Sequence, residues 1–158
     1  MLDPMNEYTI HEDDLTGEPT LALLALHLRQ MHANSPVGSV FALDVSGLKA
    51  PSVTVWTAWH DGRIASVGAL KQWNADSGEL KSMRTHPDFL RQGAATAMLE
   101  HIVVESRRRG LRRLSLETGS GDAFEPALVL YRKRGFVAGP AFGDYEASSF
   151  NQFFHLAL

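Results

Sequence analysis

The stretch Thr85-His86-Pro87-Asp88-Phe89-Leu90-Arg91-Gln92-Gly93-Ala94-Ala95-Thr96 joins a strand to an amphipathic helix through a loop that ends on small residues. Small side chains at a helix start let successive backbone N–H groups approach an anion closely, so this spacing predicts a phosphate-binding turn. It is not a P-loop, because no Gly-Lys-Ser/Thr follows. It is not a dinucleotide fingerprint either, because only one glycine of that pattern is present. Taken alone, the same residues read at least as well as an ordinary loop with small residues for packing. With no cysteine in the chain, thiolate zinc sites, cysteine nucleophiles and disulfides are excluded. The seven histidines show no metal spacing: His27 and His32 are five apart on a helix, on different faces. No metal is expected.

The elements that position this turn follow from periodicity and punctuation. Asn6 to Ile10 reads as a first strand. Pro19 or Thr20 to about Asn34 reads as a helix, with Leu21, Leu24, Ala25, Leu28 and Met31 at helical spacing and Ser35-Pro36 as the stop. Residues 37 to 50 are ambiguous, with room for a second short helix. Ser52 to His60 leads through Asp61-Gly62, a strong hairpin signal, into a returning strand from Arg63 to Trp73. Then come a strand from Glu79 to Thr85, a helix from Gly93 to Arg109 closed by Gly110, and a strand from Arg113 to Thr118. A helix from about Pro126 to Arg134 ends at Gly135, Phe136-Val137 opens another strand, and Phe150 to Leu158 suits a final one. A strand, helix and strand in the second half imply a parallel pair; the hairpin in the first half is antiparallel. The sheet is therefore expected to be mixed, with helices on both faces.

A chain of 158 residues, 44% hydrophobic and 21% charged, has the composition of one soluble globular domain. The first 20 residues carry six acids and no Lys or Arg, the reverse of a secretory or transit signal, so the mature chain is expected to begin at Met1. The longest apolar run, Leu21 to Leu26, is far short of the roughly 20 residues that a bilayer span needs. Residues 1 to 80 hold four bases and ten acids, and residues 81 to 158 eleven bases and eight acids. The bases cluster at Arg107-Arg108-Arg109 with Arg112-Arg113 and at Arg132-Lys133-Arg134. A sequence pI near 6.1 argues against a dedicated nucleic-acid binder, and bases at helix ends favour the negative end of the dipole.

Three blocks in order carry a more specific signal: Glu79-Leu80-Lys81-Ser82-Met83-Arg84-Thr85-His86-Pro87, then Gln92-Gly93-Ala94-Ala95, then Leu130-Tyr131-Arg132-Lys133-Arg134-Gly135-Phe136. Over about residues 79 to 136 they resemble the GNAT superfamily of acyl-CoA-dependent N-acetyltransferases. Leu-Lys-Ser-Met-Arg-Thr at 80 to 85, Ser-Leu-Glu-Thr-Gly-Ser at 115 to 120 and Phe-Gly-Asp-Tyr at 142 to 145 are similar to a bacterial branch of that superfamily. The resemblance implies an α/β GNAT fold: a mixed, mostly antiparallel sheet with a splayed parallel strand pair. The strands around Met83 and Leu116 would part to admit the pantetheine arm of acetyl-CoA, pairing with the backbone of Met83 and Thr85, with Arg84, Leu90 and Arg91 also expected among the cofactor-binding residues. Gln92, Gly93, Ala94, Ala95 and Thr96 would hold the pyrophosphate. Three departures stand out. The family's Arg or Gln at the start of this motif is Leu90, with Arg91 next door to supply charge. Its second glycine is Ala95, and its frequent Asn seven residues before the tyrosine is Phe124.

An ammonium must lose a proton before it attacks a thioester, so a carboxylate near the acceptor is useful as a general base. The resemblance places Glu79 there; the alternative is an exposed carboxylate following a turn. Tyr131 matches the family's tyrosine that protonates the leaving thiolate, and a phenol of reference pKa near 10 carries its proton at neutral pH. Read without the motif, it is a core residue with a polar tip. Glu117, Thr118, Asp144 and Tyr145 fall where the fold places acceptor contacts. Trp56, Trp59 and Trp73 read as sheet packing or as pocket lining.

The expected protein is a single domain over 1–158, moving an acetyl group from acetyl-CoA, its co-substrate, to a primary amine of a small molecule in a ternary complex. The acidic first half favours a cationic acceptor. No nucleic-acid or membrane partner is expected, the cytoplasm is the expected compartment, and homodimers are common in the family. The alternatives are a non-catalytic acyl-CoA-binding module, acetylation of a protein amine, or a regulatory domain docking an acidic partner on its basic helix ends.

Overall fold

The structure is a computed structural model and describes residues 8–158. A seven-stranded sheet runs in the order β1-β2-β3-β4-β5-β7-β6. Its strands are β1 (Thr9–Glu12), β2 (Val53–His60), β3 (Arg63–Gln72), β4 (Ser77–Thr85), β5 (Arg113–Thr118), β6 (Val137–Ala138) and β7 (Gln152–Ala157). All pairings are antiparallel except β4 with β5. The helices are α1 (Glu18–Ala33), α2 (Val45–Leu48), α3 (Ala94–Arg108) and α4 (Glu125–Arg134). The mixed sheet expected from the sequence is the one observed. The first strand lies at Thr9–Glu12 rather than Asn6–Ile10, and Asn6 and Glu7 fall outside the described residues. The ambiguous segment holds the one-turn α2, whose start Asp44 caps by accepting from the Gly47 N–H at 2.8 Å.

Two apolar clusters sandwich the sheet. On one face Met98, Leu99, Ile102 and Val103 of α3 pack with Leu70, Leu80, Leu114 and Leu116; on the other Leu23 and Leu24 of α1 pack with Val55, Ile64, Val67 and Ala69. The α3 residues recur at helical spacing and are all buried, which explains why the sequence pattern located this helix well. Gly68 sits where β3 meets α3. A Cβ there would come within 2.7 Å of Met83 Sδ and Met98 Cγ and 2.9 Å of Ile102 Cδ1. Gly68→Val is therefore expected to lower stability by about 1–3 kcal/mol through overpacking, read as an earlier midpoint in urea denaturation.

The functional geometry begins at an irregularity in β4. Its register against β3 passes from Ala69↔Lys81 to Val67↔Arg84, so one residue of β3 faces two of β4, and Ser82 takes φ 57°. Such a bulge bends the strand and re-aims the side chains beyond it. Lys81 and Arg84 oppose Ala69 and Val67 on the α1 face, while Met83 lies against Gly68 on the α3 face. On its other side β4 pairs with β5 only over Ser77–Glu79 and Arg113–Ser115. Beyond Glu79 the two parallel strands part.

Candidate active site

The gap between β4 and β5 is the mouth of an open cleft. Met83, Arg84, Leu116, Glu117 and Thr118 line its sides, Ala127 and Tyr131 of α4 stand across it, and His27, Gln30 and Phe41 close the α1 side. Ser82, at the bulge, belongs to this wall, and its Oγ is buried without a hydrogen-bond partner among the described residues.

Beyond the end of β4, residues Pro87–Phe89 make a short 3-10 turn, and the chain then winds into α3 through two left-handed residues, Arg91 (φ 59°) and Gly93 (φ 84°). Gly93 is the N-cap of α3, and among the described residues no side chain caps the helix, which leaves its first-turn N–H groups uncapped. Tyr8 OH donates to the Gln92 carbonyl at 2.7 Å, and Gln92 Nε2 donates to the Asp88 carbonyl at 3.1 Å. These contacts hold the turn in shape. Leu90, Arg91, Gln92 and Thr96 are exposed, Gly93 and Ala95 partly so, and Ala94 is buried. Uncapped amides around left-handed residues at a positive dipole end fit an anion. Gly93→Ala places a Cβ at positive φ and is expected to lower stability by about 1 kcal/mol, read as an earlier midpoint in urea denaturation.

Glu79 is 1% exposed, so it is not a surface carboxylate. Its Oε1 accepts from Trp73 Nε1 at 3.0 Å, and its Oε2 from Lys81 Nζ at 3.1 Å and Tyr145 OH at 2.5 Å. Burial and the Glu79 carboxylate push the Tyr145 phenol well above its usual range. Glu117, one strand across, is only partly buried and lines the cleft. Its pKa is raised to about 7 by burial; the Glu79 charge adds to the rise and Lys81 opposes it. Tyr131 is buried against Phe136, ring centroids 5.7 Å apart, and burial pushes its phenol up to about 12, with Arg84 opposing.

Glu79, Met83, Arg84, Glu117, Thr118 and Tyr131 thus share one cleft. Tyr145 reaches it through Glu79 and Lys81, whereas Asp144 is exposed and does not line it. Phe124 is buried under Gly119 and packs edge-on against Phe150. Trp56 is core, and Trp59 stacks on His11. Sequence reading missed Trp73 and Lys81 as partners of Glu79, and His27 and Gln30 as partners of the Arg84 side chain. Lys81 was accessible in principle, since residues two apart on a strand share a face. The basic clusters end α3 and α4, where Glu105 takes Arg108 and Arg109 and Glu100 takes Arg134. No helix among the described residues is long and apolar enough to cross a membrane.

The site is thus a parallel pair that parts beside an uncapped helix start, with a phenol and carboxylates in the gap. The acetyltransferase (GNAT) family profile matches residues 20–136. The uncharacterized N-acetyltransferase YedL of Escherichia coli is 44% identical over 151 residues, covering 96% of this chain and 95% of that protein. The uncharacterized N-acetyltransferase YsnE of Bacillus subtilis is 46% identical over 133 residues, covering 84% and 88%. A GNAT family acetyltransferase of Elizabethkingia anophelis, solved with acetyl-CoA bound, shares the fold with a TM-score of 0.68 at 17% identity over 97% of this chain and 99% of that one. The chain belongs to the GNAT acetyltransferase family and is an acetyl-CoA-dependent acyltransferase.

Proposed function

We propose that the protein transfers an acetyl group from acetyl-CoA to the primary amine of a small molecule, by direct attack within a ternary complex in the cytoplasm. The observation that carries this reading is the cleft between the parted strands, which gathers Tyr131, Glu117 and the Glu79–Lys81 pair. The turn at Arg91 to Thr96 is the pyrophosphate holder, and the freed backbone of Met83 and Thr85 takes the pantetheine arm. When bound, acetyl-CoA supplies the thioester carbonyl under attack and the thiolate that leaves.

The protein's own part is proton movement. With a pKa near 7, Glu117 is about half ionised at neutral pH and takes a proton from the acceptor ammonium. Glu79, held by three donors, is the second acid of the pair and raises Glu117 by its charge. Tyr131 keeps its proton at neutral pH because burial disfavours the phenolate, so it donates to the departing sulfur. No cysteine exists to carry an acyl group. The test is thiol release from acetyl-CoA across a panel of primary amines, followed with a disulfide reagent; the chain has no thiol of its own to react. Amine-dependent release with matching N-acetyl product is expected. Acetyl-CoA binding without release across the panel would point instead to a non-catalytic module.

A further inference from the structure

Arg84 carries a charge that the fold does not compensate. Its Nε donates to His27 Nδ1 at 3.0 Å and its Nη1 to Gln30 Oε1 at 2.7 Å. Both acceptors are neutral. Donation into Nδ1 leaves the His27 proton on Nε2, and burial with the Arg84 charge pushes the His27 pKa down to about 3. Among the described residues no carboxylate lies within 4.0 Å of the Arg84 nitrogens, whereas Arg63, Arg108, Arg109 and Arg134 each have one. A partly buried guanidinium with no counter-charge is costly, and burial lowers its pKa accordingly. The bulge at Ser82 puts this side chain on the cleft wall, on the same strand face as Lys81.

The remaining cleft charges divide by pairing. Lys81 and Glu79 neutralise each other at 3.1 Å, the two side chains 7% and 2% exposed. Among the described residues, what is left for a ligand is one unmatched cation, Arg84, and one acid, Glu117. That is the complement of a molecule bearing an anion and an ammonium. The acidic excess of residues 1 to 80 favoured a cationic acceptor, but among the described residues the acid of that half that lines the cleft, Glu79, is spent on Lys81.

We infer, resting on the transferase reading above, that the acceptor is an amino carboxylate whose carboxylate is bound by Arg84 while its amine faces Glu117. Planar guanidinium donors match a carboxylate better than an ammonium does, so a lysine is a partial replacement only. The experiment compares amino acids with their own carboxamides as acceptors in the thiol-release assay, using wild type, Arg84→Gln and Arg84→Lys, with acetyl-CoA affinity of each measured by calorimetry. Wild type is expected to favour the carboxylate over its amide at least tenfold in kcat/KM. Arg84→Gln is expected to collapse that ratio through KM, and Arg84→Lys to restore part of it, each with acetyl-CoA affinity kept. Equal use of acid and amide by wild type would overturn the inference while leaving the transferase standing, and this comparison needs no variant to fold. A loss of acetyl-CoA affinity in Arg84→Gln with the acid-over-amide ratio intact would also overturn it, assigning the guanidinium to the cofactor. Absence of release with every acceptor would overturn both readings.

Discussion

Tyr131→Phe lowers kcat by about 100-fold or more while the Kd for acetyl-CoA stays where it is, the range expected when a positioned general acid is removed. The change deletes one oxygen and keeps the ring that packs on Phe136, so the buried wall of the cleft survives. Steady-state kinetics at saturating acetyl-CoA, beside a calorimetric titration of the variant, checks both halves of the expectation. Unchanged kcat would make Tyr131 a core residue with a polar tip.

Glu117→Gln has the second large effect. A general base works as the carboxylate, so wild-type kcat/KM should climb as pH rises through about 7, where Glu117 loses its proton, and fall as pH drops below it. Glutamine has nothing to titrate. The variant is expected to lose that limb and to sit about 100-fold lower on the plateau, as for loss of a general base. Glu79→Gln behaves differently: it removes a charge that raises Glu117 and leaves Lys81, which lowers it, so the limb moves to lower pH. It also strands the Lys81 ammonium, 7% exposed, without its counter-ion and so costs stability. A pH–rate profile of the three proteins separates the two acids; loss of the limb in Glu79→Gln alone would make Glu79 the base.

The parts of this site built from local sequence were legible. Gly93 followed by alanines marks the turn into α3, and Gly93 takes a positive φ at the N-cap of that helix. The helical stripe of Met98, Leu99, Ile102 and Val103 marks α3 behind it. The parted strands around Met83 and Leu116, expected from resemblance to the GNAT superfamily, are present: the β4–β5 pairing stops at Glu79 and Ser115.

Tertiary partners were not legible. Tyr145 reaches Glu79 from 66 residues away, and His27 and Gln30 reach Arg84 from 57 and 54 residues away. No local pattern encodes such distances. The bulge had no signal either. In an unbroken strand period two would put Arg84 on the opposite face from Lys81, and the extra residue at Ser82 reverses that. Nor does composition report pairing: Glu79 counts as an acid in the sequence but is matched by Lys81 in the fold. The charge of one half of the chain was therefore a poor guide to the charge of the cleft.

The central claim is that the parted strands and the uncapped start of α3 form one acyl-CoA site. Calorimetric titration of the purified protein with acetyl-CoA tests it most directly. Saturable binding at one site per chain with a micromolar Kd is the predicted result. No binding of acetyl-CoA or of longer acyl-CoA thioesters would contradict the account.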